Sequence, residues 1–197
     1  IEGSASGIDP AVWPGGERIA AKRLRGFVAN GLMNYKSTRD IPSIDGTSAL
    51  SPHLAVGSLS TRQCIGAAMK ANTMTDSPLE SGSEHALCWI GELCWREFFV
   101  HVLVGFPRVC MNRAFQMQTE RMRWSGNAVH LDAWKQGRTG VPIVDAGMRQ
   151  LAAIGWMHNR VRMVAAMFLT KNLFIDWREG ERHFMRHLVD GYFASNN

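Results

Sequence analysis

Only two tyrosines and four cysteines occur among the 197 residues. The cysteines (Cys64, Cys88, Cys94, Cys110) contain no Cys-x-x-Cys pair, which removes the short-spaced thiol frameworks of structural zinc sites and redox motifs. They are expected to be buried thiols of a reducing, cytoplasmic setting, Cys88 and Cys94 lying within an apolar helical pattern. No run approaches the ~18 apolar residues of a membrane span, and the N-terminus lacks the charged-then-apolar pattern of a secretory signal. Neither Gly-x-Gly-x-x-Gly nor a P-loop string is present, so those two nucleotide sites are not supported. His183 and His187 stand four residues apart without an acidic third ligand in the usual place, and no metal is assigned. Alternating runs and hairpin turn pairs are nearly absent, which argues against a sheet. The chain opens on Ile1 and stops at Asn197 within what reads as a motif, so it is expected to be a piece of a longer protein.

Apolar residues make up 46% and charged residues 20%, a balance that excludes a disordered tail. At this length roughly 70% of the unfolded chain's surface can be hidden, enough for a real core. Lys and Arg number 22 against 17 Asp and Glu, a net charge of +5, which suits a polyanionic partner without requiring one. Seven Trp and eleven Met are the unusual abundances. Trp is demanding, because its ring needs a large pocket and its N–H a partner.

Residues 1–16 are rich in Gly, Ser and Pro and read as a linker. From Glu17 to Leu32 the apolar positions recur at helical spacing, and 34–48 reads as a loop. Ser51-Pro52 has the form of an N-cap followed by Pro at the first helical position. Ser60 and Gln63 have capping-box spacing, opening a helix to about Ala71. The segment 85–106 carries a wide apolar stripe, so this helix is expected to be largely buried and to end at Pro107. Residues 111–128 read as irregular. Helices are expected over 142–154, stopped by Gly155, over about 158–174, and over about 178–189. The fold class expected is all-α: a compact multi-helix domain over 17–197, with long loops.

Three constellations could carry chemistry. Thr47-Ser48-Ala49-Leu50-Ser51 gathers hydroxyls and backbone N–H groups at a helix start, which suits a phosphate, although hydroxyl-rich helix starts are common and ordinary capping is the reading the residues alone favour. Glu92, Trp95 and Arg96 share a helix face. In so apolar a helix a carboxylate, an indole and a guanidinium would line a cavity for a flat, hydrogen-bonding ligand such as a base. Asn159, Arg162 and Met163 face one way on a third helix, with Arg160 turned about a quarter of the circumference away. Arg162 precedes core residues and should be half buried and paired, with Asp190, Glu179 or Glu181 as candidate partners. His158 reads as a hydrogen-bonded structural histidine. Nothing links Asp145 with Asp132.

The strings Thr47-Ser-Ala-Leu-Ser51, Trp95-Arg-Glu-Phe98, residues 137–181 and Asp190-Gly-Tyr-Phe-Ala-Ser-Asn-Asn197, in this order and spacing, resemble the flavin-binding helical domain of the DNA photolyase/cryptochrome family. The likeness is greatest to bacterial class I cyclobutane pyrimidine dimer photolyases. It implies FAD as cofactor, with Tyr35 and residues Thr47, Ser48, Ala49, Leu50 and Ser51 near its phosphates. Arg162, Asp190, Gly191, Tyr192, Asn159 and Asn196 would lie near its ring. It implies UV-damaged DNA as partner, met by Arg39, Arg96 and Arg160, with Glu92, Trp95 and Met163 as the wall around a flipped lesion. Trp177 and Trp124 match the middle and outer members of an electron chain. The chain departs from the family at Tyr192, where Asp is usual. The family's Gly-Gly-Trp-Gln-Trp segment would follow Asn197. Its N-terminal α/β domain, with a folate or deazaflavin antenna pigment, would precede residue 1. The activity implied is light-driven dimer repair by a monomer. The alternatives are six-four photolyase, cryptochrome photoreceptor, or a helical nucleic-acid-binding module without enzymatic activity. Met163 stands where six-four enzymes carry His, and Asn159 where plant cryptochromes carry Asp.

Overall fold

The computed structural model describes residues 8–9, 11–71 and 83–196. Among them there is no strand, and no helix is long and apolar enough to cross a membrane. Residues 1–7 of the expected linker lie outside the described residues. Two compact units divide the chain, Trp13–Phe98 and Ile1–Val12 with Phe99–Asn197.

In the unit Trp13–Phe98, α1 (Glu17–Asn30), α2 (Tyr35–Thr38), α3 (Ser51–Ala55), α4 (Thr61–Ala71) and the first part of α5 (Glu84–Gly105) surround one core. Ala20, Leu24 and Phe27 of α1 pack there with Cys64 and Ala68 of α4 and Trp89, Ile90 and Leu93 of α5. α4 opens on a capping box: Ser60 Oγ accepts from the Gln63 N–H at 3.2 Å, and Gln63 Oε1 accepts from the Ser60 N–H at 2.8 Å. That arrangement satisfies two helix-end donors reciprocally. The segment read as a loop from 34 holds a 3₁₀ turn (Leu32–Asn34) and the single turn α2. Ser51 is the first helical residue rather than the cap, with Leu50 in the flanking position.

Two expectations fail in α5. Its buried residues are Ala86, Trp89, Ile90 and Leu93 alone, while Trp95, Phe98, Phe99 and Val104 are exposed. The helix is apolar all round, so the spacing of its apolar residues does not say which of them are covered. The cysteines follow suit: Cys64 is buried, Cys88 intermediate, Cys94 and Cys110 exposed.

The second unit contains α6 (Ala128–Lys135), α7 (Pro142–Ile154), α8 (Asn159–Met167), α9 (Trp177–His187) and α10 (Phe193–Asn196). Its core joins Trp134, Met148, Leu151, Val161, Leu169 and Phe184. The Trp134 indole N–H donates to the Ala165 carbonyl at 2.9 Å, so the ring is fully buried with its polar atom satisfied. α7 and α8 touch closely at Gly147, where any Cβ would overlap Val161. Gly155 ends α7 at φ +67°, as expected, its N–H bonded to the Leu151 carbonyl. Residues 107–111, just ahead of the stretch read as irregular, and 117–121, inside it, form 3₁₀ turns, and α6 had no sequence signal in that reading. The helix expected to run to 174 ends at Met167. It continues as a π turn, Phe168–Asn172, with the Leu173 N–H bonded back to the Phe168 carbonyl.

Candidate functional site

The unit Trp13–Phe98 carries two of the three constellations. In the turn leading to α3, Ala49 has φ +46° and Leu50 follows at φ −92°, ψ −5°. A left-handed residue followed by a right-handed one turns consecutive N–H groups toward one side, the concavity called an anion nest. The N–H groups of Ala49, Leu50 and Ser51 donate to no backbone carbonyl among the described residues. The hydroxyls of Thr47, Ser48 and Ser51 make no hydrogen bond among those residues, so the capping reading finds no support there. Such a donor set fits a diphosphate chemically. Tyr35 is buried against Phe27, and burial pushes its phenol far above the usual range.

The second constellation is organised by Arg39. Its guanidinium makes an ion pair and hydrogen bond with Glu92, lies 3.4 Å from Asp40, and sits 5.5 Å above the Tyr35 ring. Burial works against the Arg39 charge, but the hydrogen bond to Glu92 holds it protonated. With its side chain 16% exposed, Arg39 is part of the wall behind Glu92 rather than a free surface cation. Arg96 Nη2 donates to the Leu54 carbonyl at 3.1 Å. Trp95 packs edge-on against Phe98 with ring centres 5.2 Å apart, and 54% of its surface stays accessible.

In the other unit, Arg162 pairs with Asp190 out of the three acids considered. Its Nη2 donates to Asp190 Oδ1 at 3.0 Å and Oδ2 at 2.7 Å, and its Nε to the Met157 carbonyl at 2.7 Å. The pair is fixed at both ends. His158 caps α8, Nδ1 accepting from the Arg160 N–H at 3.2 Å, and the Gly191 N–H bonds to the Leu188 carbonyl. The Tyr192 carbonyl accepts from Ser195 and Asn196, so its backbone starts α10, and the Asn196 amide reaches Met185 Sδ at 3.5 Å. Asn159 and Arg160 are exposed at the start of α8, and Met163 one turn on is 46% exposed.

Trp124 lies 5.2 Å from Phe174, ring centre to ring centre, and Trp177 is the first residue of α9. The Arg178 guanidinium stands 4.6 Å above Trp177 and donates to Asn112, Glu120 and Asp176. This network had no sequence signal, because its members lie up to 66 residues apart. Asp145 is a loop staple: it accepts from Thr139 N–H (2.7 Å), Thr139 hydroxyl (2.6 Å) and Gly140 N–H (2.9 Å). Desolvation raises its pKa, but these bonds prevail and hold it below the usual carboxylate value. Among the described residues, no group of three His, Cys, Asp or Glu is arranged to hold a metal.

The described residues are all-helical, and the class of protein to which such a domain belongs is shown by its similarity to known proteins: a photolyase-type FAD-binding domain. The family described as the FAD binding domain of DNA photolyase matches residues 89–197, more than half the chain, and the chain belongs to that family. It is 50% identical over 187 residues to the deoxyribodipyrimidine photo-lyase of Neurospora crassa, covering 95% of this chain and 30% of that protein. It is 47% identical over 190 residues to the deoxyribodipyrimidine photo-lyase of Escherichia coli, covering 96% and 39%. Among solved structures it superposes on a bacterial class III photolyase from Agrobacterium tumefaciens with TM-score 0.85 and 39% identity, covering 94% of this chain and 37% of that one. A Synechocystis cryptochrome gives TM-score 0.82 and 35% identity, covering 92% and 37%. The chain spans well under half the length of these relatives.

Proposed function

We propose that the protein containing this chain repairs cyclobutane pyrimidine dimers in DNA with light, and that residues 17–197 form its FAD- and lesion-binding part behind a linker, 1–16. The observation that carries the reading is on α5. A half-exposed indole, Trp95, shares a helix face with the Glu92 carboxylate, which Arg39 holds in place.

The nest and hydroxyls of residues 47–51, with Tyr35, bind the FAD diphosphate. Arg162, oriented by Asp190, favours negative charge on the ring by Coulomb attraction in a partly desolvated place. Gly191, Tyr192, Asn159 and Asn196 complete the ring side, the amides as hydrogen-bond partners. When bound and reduced, FAD supplies the excited electron that opens the dimer and receives it back.

This chain's residues bind and orient the substrate. Photolyases are among the enzymes that take their target base out of the stack, and a damaged base is the easier one to extrude. Trp95 offers the extruded dimer an apolar face and Glu92 an acceptor for the pyrimidine edge, and the family resemblance assigns Met163 to the lesion as well. Arg96 and Arg160, with Arg39 behind, attract phosphates in a salt-dependent, sequence-independent manner. Trp177 and Trp124 would serve as the middle and outer members of a relay that passes electrons inward from an external reductant toward oxidised flavin. A folate or deazaflavin antenna pigment would be held by sequence outside these 197 residues. The protein acts as a cytoplasmic monomer without membrane attachment.

A photoreceptor reading has one specific observation in its favour, the structural likeness to a cryptochrome. The experiment is blue-light illumination of the full protein, flavin reduced, with an oligonucleotide carrying one thymine dimer. Appearance of intact thymines supports repair. Flavin photoreduction with the dimer left intact supports light sensing, and repair of six-four lesions alone supports that branch.

A further inference from the structure

A second charged concavity lies on α6 and α9, on residues that the flavin and lesion reading does not use. Glu179, Arg182, His183, Arg186 and His187 fall at i, i+3, i+4, i+7 and i+8, one continuous face of α9. With Lys135 from the last turn of α6 they line a cavity of about 310 Å³. The cations are poorly compensated. Arg182 Nη1 is held by Glu179 at 2.8 Å, whereas Lys135 and Arg186 make no ion pair among the described residues. Three permanent cations against one carboxylate leave two positive charges in one concavity. The histidine rings stack with centres 4.1 Å apart, and His187 Nδ1 lies 2.8 Å from the His183 carbonyl, which it meets as a donor. Its Nε2 edge is thereby left for another partner. Trp134 backs His183 at 5.4 Å.

Helix-dipole compensation accounts for part of this placement, since Lys135, Arg186 and His187 lie in last turns. It does not account for the magnitude. Two helix ends contribute roughly −0.5 charge each, which leaves the concavity positive, and Arg182 lies outside the final turn. The potential is felt by His183, whose pKa is pushed down to about 4 by burial first and then by His187, Lys135 and Arg186.

We propose that this α6–α9 cleft is a phosphate-binding site, with Lys135, Arg182 and Arg186 supplying charge and hydrogen-bond donors, and the His187 Nε2 edge able to accept from a P–OH where the phosphate carries one. A tetrahedral oxyanion with several acceptors uses cations arriving from two helices, whereas a planar carboxylate would engage one guanidinium. The phosphate could come from a nucleic-acid backbone or from a free phosphate.

The test is a histidine-ring NMR titration of the full protein with inorganic phosphate, against chloride at matched ionic strength. Saturable shifts at His183 and His187 are expected, with the His183 titration rising by about one unit as the anion offsets the cations. Lys135→Gln and Arg186→Gln should each weaken the response about tenfold, and Lys135→Arg should retain it. Parallel titrations with a short thymidine oligonucleotide assign the source. A tighter response than to inorganic phosphate identifies a backbone site, and a weaker one a free-phosphate site. Shifts no larger than chloride gives at about 50 mM phosphate, or an undiminished response in both Gln variants, overturn the proposal. Neither result bears on dimer repair.

Discussion

Asp190 receives both of its Arg162 hydrogen bonds from a single guanidinium nitrogen, at 3.0 and 2.7 Å, while the Nε of the same arginine is committed to the Met157 carbonyl. The Asp190 side chain is 2% exposed and that of Arg162 17%. The arginine therefore cannot turn to another acceptor without abandoning α8's entry loop.

Removing the acid should be costly. Asp190→Ala leaves a largely buried cation without its counter-charge, and a loss of about 3 kcal/mol is expected. Asp190→Asn, which keeps an acceptor, should lose less. Urea unfolding checks both, and a loss under about 1 kcal/mol would mean that the pair behaves as a solvated one.

Ala49 sits at φ +46°, where a side chain is disfavoured by about 1 kcal/mol. Ala49→Gly should be neutral to stabilising by up to that amount, because relief of the left-handed strain opposes the greater freedom of glycine when unfolded. Ala49→Val should destabilise by more than 1 kcal/mol. Thermal melts separate the outcomes. Equal losses in both variants would count against the nest.

Trp95, half exposed, contributes little to the core. Trp95→Ala should leave thermal stability within about 1 kcal/mol yet weaken binding to dimer-containing DNA by roughly 5- to 150-fold, the equivalent of one lost stacking contact. Binding to undamaged DNA should be nearly unaffected. Gel-shift titrations on both substrates decide, and equal losses would remove Trp95 from the lesion wall.

Gly147 lets α7 and α8 approach closely. Gly147→Ala gains up to about 1 kcal/mol of helix propensity but forces an overlap with Val161, and overpacking costs typically 1–3 kcal/mol. The second effect should win. The variant should melt lower and lose flavin more readily, since α8 carries Arg162. An unchanged melt would show that the helices yield without strain.

His183 is depressed from the ordinary 6.5 to about 4 by burial and by the cations around it. Below pH 6.5 the unfolded chain takes a proton that the folded one refuses. The stability owed to this residue is therefore complete above pH 6.5 and is lost as pH falls from 6.5 through 4. His183→Gln should flatten that window in a plot of unfolding free energy against pH. An unaltered slope would place the dependence elsewhere.

Local signals were legible and long-range ones were not. The capping box at Ser60 and Gln63 and the left-handed Gly155 follow from short-range chemistry that a sequence displays. The partner of Arg162 did not follow in that way: its half-buried setting called for an acid but left three candidates, and only the family resemblance pointed to Asp190, 28 residues on. The grip of Arg39 on Glu92 joins residues 53 apart and changes the meaning of both, yet no local pattern announces it. The exposure of Phe98, Phe99 and Val104 was invisible for a related reason, because an evenly apolar helix has no preferred dry side. Ala49 gave no warning, since its conformation is one that glycine normally marks.

The π turn at Phe168–Asn172 holds one residue more than a regular turn would. Each residue advances a helix by about 100°, so this single surplus position sets the angle at which the backbone leaves α8. Downstream of it Phe174 takes φ +53°, accepts a hydrogen bond from the Ser125 N–H and stacks beside Trp124, and Trp177 begins α9. The direction in which α9 sets out is thus a matter of how many residues the turn holds, and inserting or deleting one there would redirect Phe174 and Trp177 together, whichever side chains the stretch carries.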